Sequence, residues 1–264
     1  MVAGLSLMSS PSAVANDAAP AALDCLVEPS MIVDLSAPEP GQLETVFVER
    51  NDVVNQGDFI AKLESSLELA AVKLAEHAVN SRSQLQLRQQ SVDYGQRTLE
   101  RNRTLMKTSS VSRQQLDKIE TEYEISRLQL LEQRERAGRN VLELNRARAA
   151  LARRSVQSPI SGVVSERYKN DGEYLEAQPI VQIVQLNPLH VSVIAPLSYL
   201  AEITSAESAE VRIQTGTEER LEQARVTSID RIADAASNTF GVQLELANPD
   251  MSMPGGVRCT VTFN

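Results

Sequence analysis

The fold of this chain is decided by residues 65–154, which read SSLELAAVKLAEHAVNSRSQLQLRQQSVDYGQRTLERNRTLMKTSSVSRQQLDKIETEYEISRLQLLEQRERAGRNVLELNRARAALARR. In the first half, apolar or small residues recur at spacings of four and then three, at Leu67, Ala71, Leu74, Ala78, Ser81, Leu85, Val92, Leu99 and Met106. A second run follows at Leu116, Ile119, Tyr123, Ser126, Leu130, Ala137, Leu144, Ala147 and Leu151. This spacing is typical of a coiled-coil seam. The pattern therefore predicts two long helices that pack against each other.

A short polar segment, residues 107–112, separates the two runs and predicts a turn. Each arm has about 40 residues and would be roughly 60 Å long at the helical rise of ~1.5 Å per residue. Residues 65–154 contain no proline, and their only glycines are Gly95 and Gly138. Because proline and glycine are the residues that most disfavour helix interiors, we expect neither arm to break.

Charge is distributed unevenly along the 264 residues, whose formal net charge is -9. Residues 65–154 hold 17 basic and 11 acidic side chains, whereas the rest of the chain holds 9 and 24. Nucleic acid is not expected as a partner, because phosphate binding needs a basic surface. The basic side chains of the helices are interpreted as a solvated face.

Residues 1–15 have the features of a secretory signal peptide. An apolar run from Val2 to Met8 is followed by Ala13-Val14-Ala15, which fits a cleavage site. No lysine or arginine precedes the apolar run, so it stays open whether Met1 is the true start. No stretch of 18 apolar residues occurs, and we expect no transmembrane helix.

Two segments on either side of residues 65–154 form an internal repeat with an offset of 121 residues. The matching pairs are Pro38 and Pro159, Gly41 and Gly162, Val46 and Arg167, Val48 and Lys169, Val54 and Leu175, Ile60 and Val181, Leu63 and Val184. Each unit predicts a Pro-x-x-Gly turn, a strand, a polar turn and a second strand. Neither unit can bury both its faces alone, so we expect the two to close one small β-sandwich.

After Leu186 the pattern changes to a series of β segments. The predicted strands are His190–Ala195, Glu210–Thr215, Ala224–Asp230, Phe240–Leu246 and Arg258–Phe263, with a short helix over Pro196–Ile203. Turn sequences separate them, such as Asn248-Pro249-Asp250 and Met253-Pro254-Gly255-Gly256.

The predicted turn carries the spacing Arg101-x3-Leu105-x6-Ser112. It resembles the tip motif by which periplasmic adaptor subunits of tripartite efflux pumps, the membrane fusion proteins of the HlyD-like family, engage an outer-membrane channel. The resemblance implies that Arg101, Leu105 and Ser112 contact the channel. The alternative is structural, with Leu105 in the seam, Arg101 solvated and Ser112 as a helix N-cap. Ser112 followed by Gln115 is also a capping-box pattern.

The repeated segments look like a lipoyl or biotinyl carrier domain split by a helical hairpin, the arrangement of the same family. The resemblance implies an α+β fold: a long antiparallel α-helical coiled-coil hairpin inserted in a split lipoyl-like β-sandwich, followed by a β-barrel domain. The hairpin occupies the place of the carrier lysine, so we expect no cofactor. Asn51 stands where glycine is usual, and asparagine tolerates the left-handed backbone conformation.

The predicted domains are a signal peptide (1–15), a lipoyl-like domain (36–64 plus 155–186), a hairpin (65–154) and a β-barrel domain (16–35 plus 187–264). Asn187-Pro188-Leu189-His190-Val191 is similar to the barrel domain of the adaptor family. The chain stops at Asn264, where that barrel ends, whereas many relatives continue into a membrane-proximal domain. How an inner-membrane transporter would be contacted is therefore left open.

Side chains that could perform catalysis or bind a metal are few and scattered. The only histidines are His77 and His190, and the only cysteines are Cys25 and Cys259. No cluster has metal-ligand spacing, and no phosphate-binding loop or nucleophile motif occurs. We expect no enzymatic activity, no catalytic residue and no metal site.

In the adaptor topology the first and last segments of the barrel are neighbours. A disulfide between Cys25 and Cys259 is therefore predicted if the chain is exported to an oxidising compartment. The alternative is two free thiols.

The resemblance implies a periplasmic protein of the cell envelope that links an inner-membrane transporter to an outer-membrane channel protein. The transporter expected from the resemblance is of the RND type. It implies a homo-oligomer of six copies. Leu128 and Leu131 lie off the predicted seam and are candidates for the lateral contacts between copies. Alternatives are the adaptor of an ABC-type exporter, an exported coiled-coil scaffolding protein without a pump, and a carrier-domain enzyme subunit, which the missing lysine disfavours. The substrate is not encoded in any recognisable pattern.

Overall fold

The computed structural model describes residues 22–107, 110–215 and 218–263. The helices are α1 (Ser66–Asn80), α2 (Ser83–Met106), α3 (Arg113–Ala152) and α4 (Leu200–Ser205), the last preceded by a 3-10 turn, Leu197–Tyr199. The strands are β1 (Leu23–Ser36), β2 (Gly41–Val46), β3 (Val53–Val54), β4 (Phe59–Leu63), β5 (Ser155–Gln157), β6 (Gly162–Arg167), β7 (Tyr174–Leu175), β8 (Pro179–Pro196), β9 (Ser208–Thr215), β10 (Glu218–Ile229), β11 (Thr239–Leu246) and β12 (Val257–Phe263). This is an α+β chain with two compact units. One comprises the chain up to Val33, residues 160–165 and residues from 183 onward, and the other comprises residues 34–159 and 166–182.

A closed β-barrel forms the core of the first unit. Its strands follow the order β1-β12-β9-β10-β11-β8, and pairing of β1 with β8 closes the ring. Side chains alternate between interior and surface along β11, along β12 and along the part of β8 that pairs with β11. Leu189, Val191, Val193 and Ala195 of β8 are at most 2% exposed, and they lie opposite residues 246 to 240 of β11 in an antiparallel register. The predicted β-barrel is thus confirmed.

Asn248, in the connection between β11 and β12, is fully buried and joins three segments of the barrel unit. Its side-chain amide donates hydrogen bonds to the carbonyls of Leu186 and Met253, both at 3.0 Å, and its side-chain oxygen accepts one from the Met253 amide at 3.2 Å. The Asn248 backbone amide donates to the side-chain oxygen of Asn187 at 3.1 Å. The donors and the acceptor of the Asn248 side chain therefore all have partners. A polar side chain can be buried in an apolar core when its hydrogen bonds are satisfied in this way.

The first and last strands of the barrel are joined covalently. Cys25 of β1 lies directly opposite Cys259 of β12, with Cα atoms 4.8 Å apart, and the two sulfur atoms are bonded at 2.07 Å. Both residues belong to the buried apolar core of the barrel. The bond spans 234 residues of sequence.

A four-stranded sheet in the second unit combines both repeated segments. Its order, β5-β4-β2-β7, places β2 and β4, two of the three strands of the first segment, between β5 and β7 of the second. The Leu43 amide donates to the Glu173 carbonyl, and the Gly172 amide donates to the Leu43 carbonyl, both at 2.8 Å. Both repeated segments contribute strands to this sheet, and the closed β-sandwich expected from the sequence stays a prediction.

Equivalent positions of the repeat have equivalent structures. Asn51 has φ 73° and Gly172, its partner at the offset of 121 residues, has φ 84°, so the asparagine does adopt the left-handed conformation. Gly41 opens β2, where a Cβ would lie 2.9 Å from side-chain atoms of Leu63 and Arg154. Gly162 opens β6, where a Cβ would run into the backbone carbonyl of Val184. Backbone contact therefore requires glycine at position 162, whereas at position 41 a larger residue would displace the ends of two side chains.

The first arm of the hairpin is interrupted, contrary to the expectation from the sequence. α1 ends at Asn80 and α2 begins at Ser83, with Ser81 in an extended conformation at φ -76° and ψ 93°. The predicted seam is correct in α2, where Val92 and Leu99 are buried, and wrong in α1, where Leu67 and Leu74 are 78% and 72% exposed.

The buried face of α1 consists instead of Val72 and Ala75, with Val79 packed beside them. A stripe through Val72 and Val79 would continue at residue 86, whereas the stripe of α2 passes through Leu85 and Val92. One uninterrupted helix cannot present both stripes to the same partner, because the two differ by one residue in phase. The break at residues 81–82 removes this conflict.

The helix α3 is continuous and packs antiparallel against both α1 and α2. Polar contacts between the arms include Arg148 with Glu76 at 2.8 Å, Arg134 with Gln89 at 3.1 Å, and Arg103 with Glu120 at 2.7 Å. Within the described ranges, no helix combines the length and the apolar character needed to span a membrane.

Candidate docking tip

The tip of the hairpin is the connection from α2 to α3. Leu105 lies in the last turn of α2 and is 40% exposed. Its carbonyl accepts a hydrogen bond from the Ser110 amide at 3.2 Å. The described part of this connection consists of Lys107 and residues 110–112. Thr108 and Ser109 lie outside the described residues. An apolar side chain is therefore presented at the end of the hairpin.

Ser112 is the N-cap of α3. It has φ -76° and ψ 153°, and its hydroxyl oxygen accepts a hydrogen bond from the Gln115 amide at 3.2 Å. A cap of this kind satisfies one of the amides that a helix N-terminus leaves without a partner. The structural role predicted for Ser112 is confirmed, and its exposed position is compatible with a contact to another protein as well.

Arg101 and Leu105 are four residues apart on α2 and therefore lie on the same face of that helix. Both are exposed. The cation that joins the two arms near the tip is Arg103, whose Nε and Nη2 donate to Oε1 of Glu120 at 3.1 and 2.7 Å. Sequence reasoning missed this pair. Arg103 lies four residues before the predicted turn and Glu120 eight residues after it, and their opposite charges were the available signal.

The other end of the hairpin is held by Arg154. Its side chain, 20% exposed, donates to Glu68 in the first turn of α1 from Nε at 2.8 Å and lies 2.6 Å from it through Nη2. Its Nη1 donates to the Pro40 carbonyl at 3.1 Å, in the turn that precedes β2. Glu64 accepts a hydrogen bond from the Ser66 amide at 2.8 Å, and hydrogen bonds from Ser66 lower the pKa of its carboxyl group. The start of α1 and the end of α3 are thereby fixed to the same sheet.

Among the side chains of residues 22–107, 110–215 and 218–263, no three histidine, cysteine, aspartate or glutamate groups converge as metal ligands would. His77 lies in α1, and Nδ1 of His190 is 2.8 Å from the Gln243 side-chain amide across β8 and β11. The two histidines thus lie in separate units of the chain.

No family model matches the chain. The multidrug resistance protein MdtA of Yersinia enterocolitica is 25% identical over 233 residues, which cover 83% of this chain and 49% of that protein. The chain therefore spans about half the length of this relative.

Solved structures show the fold. MacA from Actinobacillus actinomycetemcomitans aligns with a TM-score of 0.76 and 16% identity, over 93% of this chain and 79% of that one. The membrane fusion protein Spr0693 from Streptococcus pneumoniae R6 aligns with a TM-score of 0.60 and 16% identity, over 92% and 98% of the two chains. This chain is thus related in sequence to MdtA and has the fold of a membrane fusion protein, which confirms the resemblance that its sequence motifs indicate.

Proposed function

We propose that this chain is a periplasmic adaptor subunit of a tripartite efflux system, linking an inner-membrane transporter to an outer-membrane channel. The observation that carries the proposal is the hairpin tip, where Arg101 and Leu105 share an exposed face beside the N-cap Ser112. Similarity in sequence to a multidrug resistance protein and in fold to a membrane fusion protein supports it. The role is architectural and requires no catalytic residue.

At the tip, each of the three predicted residues has a distinct part. Arg101 supplies a charge-assisted hydrogen bond to a carboxylate or carbonyl of the channel. Leu105 buries its side chain between adjacent tips, which contributes up to about 2 kcal/mol. Ser112 keeps its cap and offers its hydroxyl group to the channel from the start of α3.

The test is complementation of a pump-deficient strain by Leu105→Asp. We expect transport to be lost while the circular dichroism spectrum and melting temperature are unchanged, because Leu105 is partly solvent-exposed in the isolated chain. Leu142→Asp is the matched control, since Leu142 is 68% exposed in α3 far from the tip. Full transport by the Leu105 variant would refute the assignment of the tip.

The inner-membrane partner is proposed to be an RND transporter, with an ABC-type exporter as the alternative. Reconstitution of the chain with one transporter of each class, followed by measurement of complex formation, distinguishes the two.

An exported scaffolding protein without a pump remains a second candidate function, favoured by the hairpin alone. It predicts that neither transporter and no channel protein co-purifies with the chain.

Assembly, location and domains follow from the same proposal. Six copies would form a ring with their hairpins side by side, and Leu128 and Leu131, which are 63% and 51% exposed, provide lateral contacts.

The chain would reach the periplasm through the signal peptide at residues 1–15, which lie outside the described residues. We also propose that residues 36–64 and 155–186 are the lipoyl-like domain and that 16–35 and 187–264 are the barrel domain.

A further inference from the structure

Two features that weaken helices lie at the same level of the hairpin, one in each arm. The first arm is broken at Ser81 and Arg82, and the second arm contains Gly138. Contacts between the arms define the level. The Asn140 side-chain amide donates to the Ala78 carbonyl at 3.2 Å, and Arg134 donates to Gln89 at 3.1 Å. Gly138 lies between these two contacts on α3, and the break lies between them on the first arm.

Packing does not require the glycine at position 138. A Cβ added there would meet no atom within 4 Å. Gly95, the other glycine of the hairpin, differs, because a Cβ there would lie 3.2 Å from the Tyr123 ring. Glycine is among the poorest helix formers, so Gly138 weakens α3 at a place where alanine would fit.

The interface between the arms is also thin at this level. In the first arm residues 76–91 form the longest stretch without a buried residue, and α3 has none between Leu130 and Leu144, as is also true of residues 113–129 of that helix; all of these residues are described by the structure. A stretch with few buried apolar contacts has a low free energy of local opening. Three independent properties, the break, the glycine and the sparse packing, therefore coincide.

Asn140 compensates for part of the weakness. The last carbonyls of a helix have no partner within the helix, and Ala78 lies in the last turn of α1. The Asn140 amide takes the place of the missing helical donor, from the opposite arm. We propose that residues 80–82 and Gly138 form a hinge that crosses both arms of the hairpin, and that Asn140 is the latch that holds it in the conformation seen here.

Hydrogen exchange of the intact chain, followed by mass spectrometry, tests the hinge. We expect amides of residues 78–84 and 136–142 to exchange at least about tenfold faster than those of residues 92–99 and 126–132. Gly138→Ala should slow exchange about fivefold in both hinge segments, because one opening event exposes both arms. Asn145→Ala is the control: it raises helix propensity in α3 about two turns away and should leave residues 78–84 unchanged.

The latch is tested with two variants. Asn140→Ala removes the donor to the Ala78 carbonyl and should speed exchange of residues 78–84 several-fold, and Asn140→Asp, which keeps the shape without the donor, should do the same. The hinge is refuted if both segments exchange as slowly as residues 92–99 in the unmodified chain, or if Gly138→Ala slows only α3. Unchanged exchange of residues 78–84 in Asn140→Ala refutes the latch.

Discussion

At the scale of single residues, the structure explains which polar groups fix the turns of the repeat. Asp171 accepts a hydrogen bond from the Val46 amide at 2.8 Å, which joins the second repeated segment to the first. Glu173, in the turn between β6 and β7, accepts hydrogen bonds from the Asn170 amide at 2.9 Å and from Lys169 at 3.2 Å. The bond from the Asn170 backbone is the main cause that lowers the pKa of the Glu173 carboxyl group, and the bond from Lys169 adds to it.

This lowered pKa predicts a pH dependence of stability. Since the carboxyl group of Glu173 has a lower pKa in the folded state than the value of about 4.3 in the unfolded state, its stabilisation is complete above that value. The stabilisation is lost as the pH falls through the folded-state pKa. Glu173→Gln should therefore melt below the unmodified chain at pH 7, with a difference that disappears in acid.

Thermal melting between pH 2 and 7 measures this difference. Glu176→Gln is a suitable comparison, because Glu176 is an exposed glutamate three residues along the same segment. A difference between Glu173→Gln and the unmodified chain that stays constant over this range would show that the carboxylate does not act through its charge.

At the scale of elements, the heptad spacing located both arms and the turn but chose the wrong stripe of α1. That helix is apolar on two faces, one through Val72 and Ala75 and the other through Leu67 and Leu74. Both faces satisfy a seven-residue repeat, so spacing alone cannot distinguish them. The contacts of α3 decide between them, and this information is not local. The break at residues 81–82 was also missed, because neither proline nor glycine marks it in the sequence.

The corrected register predicts opposite outcomes for two truncations in α1. Val72→Ala should destabilise the chain by about 1 to 2 kcal/mol, because it removes buried methyl groups from the contact with α3. Leu74→Ala, a larger truncation on the exposed face, should change the free energy of unfolding by less than about 0.5 kcal/mol. Urea denaturation of both variants measures the difference. A greater loss of unfolding free energy in Leu74→Ala than in Val72→Ala would show that the seam predicted through Leu67 and Leu74 is the buried one.

The candidate site was predictable in part at this scale. Turn position and cap spacing located Leu105 and Ser112, because both signals are local in sequence. The cross-arm pair of Arg103 and Glu120 and the clamp of Arg154 on Glu68 depend on how the arms pair and where the hairpin joins the sheet. Such contacts join residues that are distant in sequence and become visible only once the register is known.

At the scale of the whole chain, the covalent link between the first and last strands of the barrel constrains the unfolded state. Closing a loop of 234 residues removes freedom from the unfolded chain, which in the chain-entropy model stabilises by about 5 kcal/mol. Reduction of the unmodified chain should therefore lower its melting temperature. A variant with both Cys25→Ala and Cys259→Ala should melt at a lower temperature and should not respond to a reductant.

Thiol titration provides the accompanying control. The chain purified under non-reducing conditions should show no reactive thiol even after unfolding in denaturant. Two titratable thiols, or equal melting temperatures with and without reductant, would contradict a stabilising bond.

The role of an adaptor is tested most directly by site-specific photo-crosslinking in living cells. A photoreactive amino acid at position 105 should form a covalent adduct with an outer-membrane channel protein, and the same residue at position 142 should form none with that protein. The expected result is one adduct, identified by mass spectrometry, that disappears when the channel gene is deleted. If a transport-competent chain labelled at position 105 yields no adduct with any outer-membrane protein, the hairpin tip does not dock on a channel.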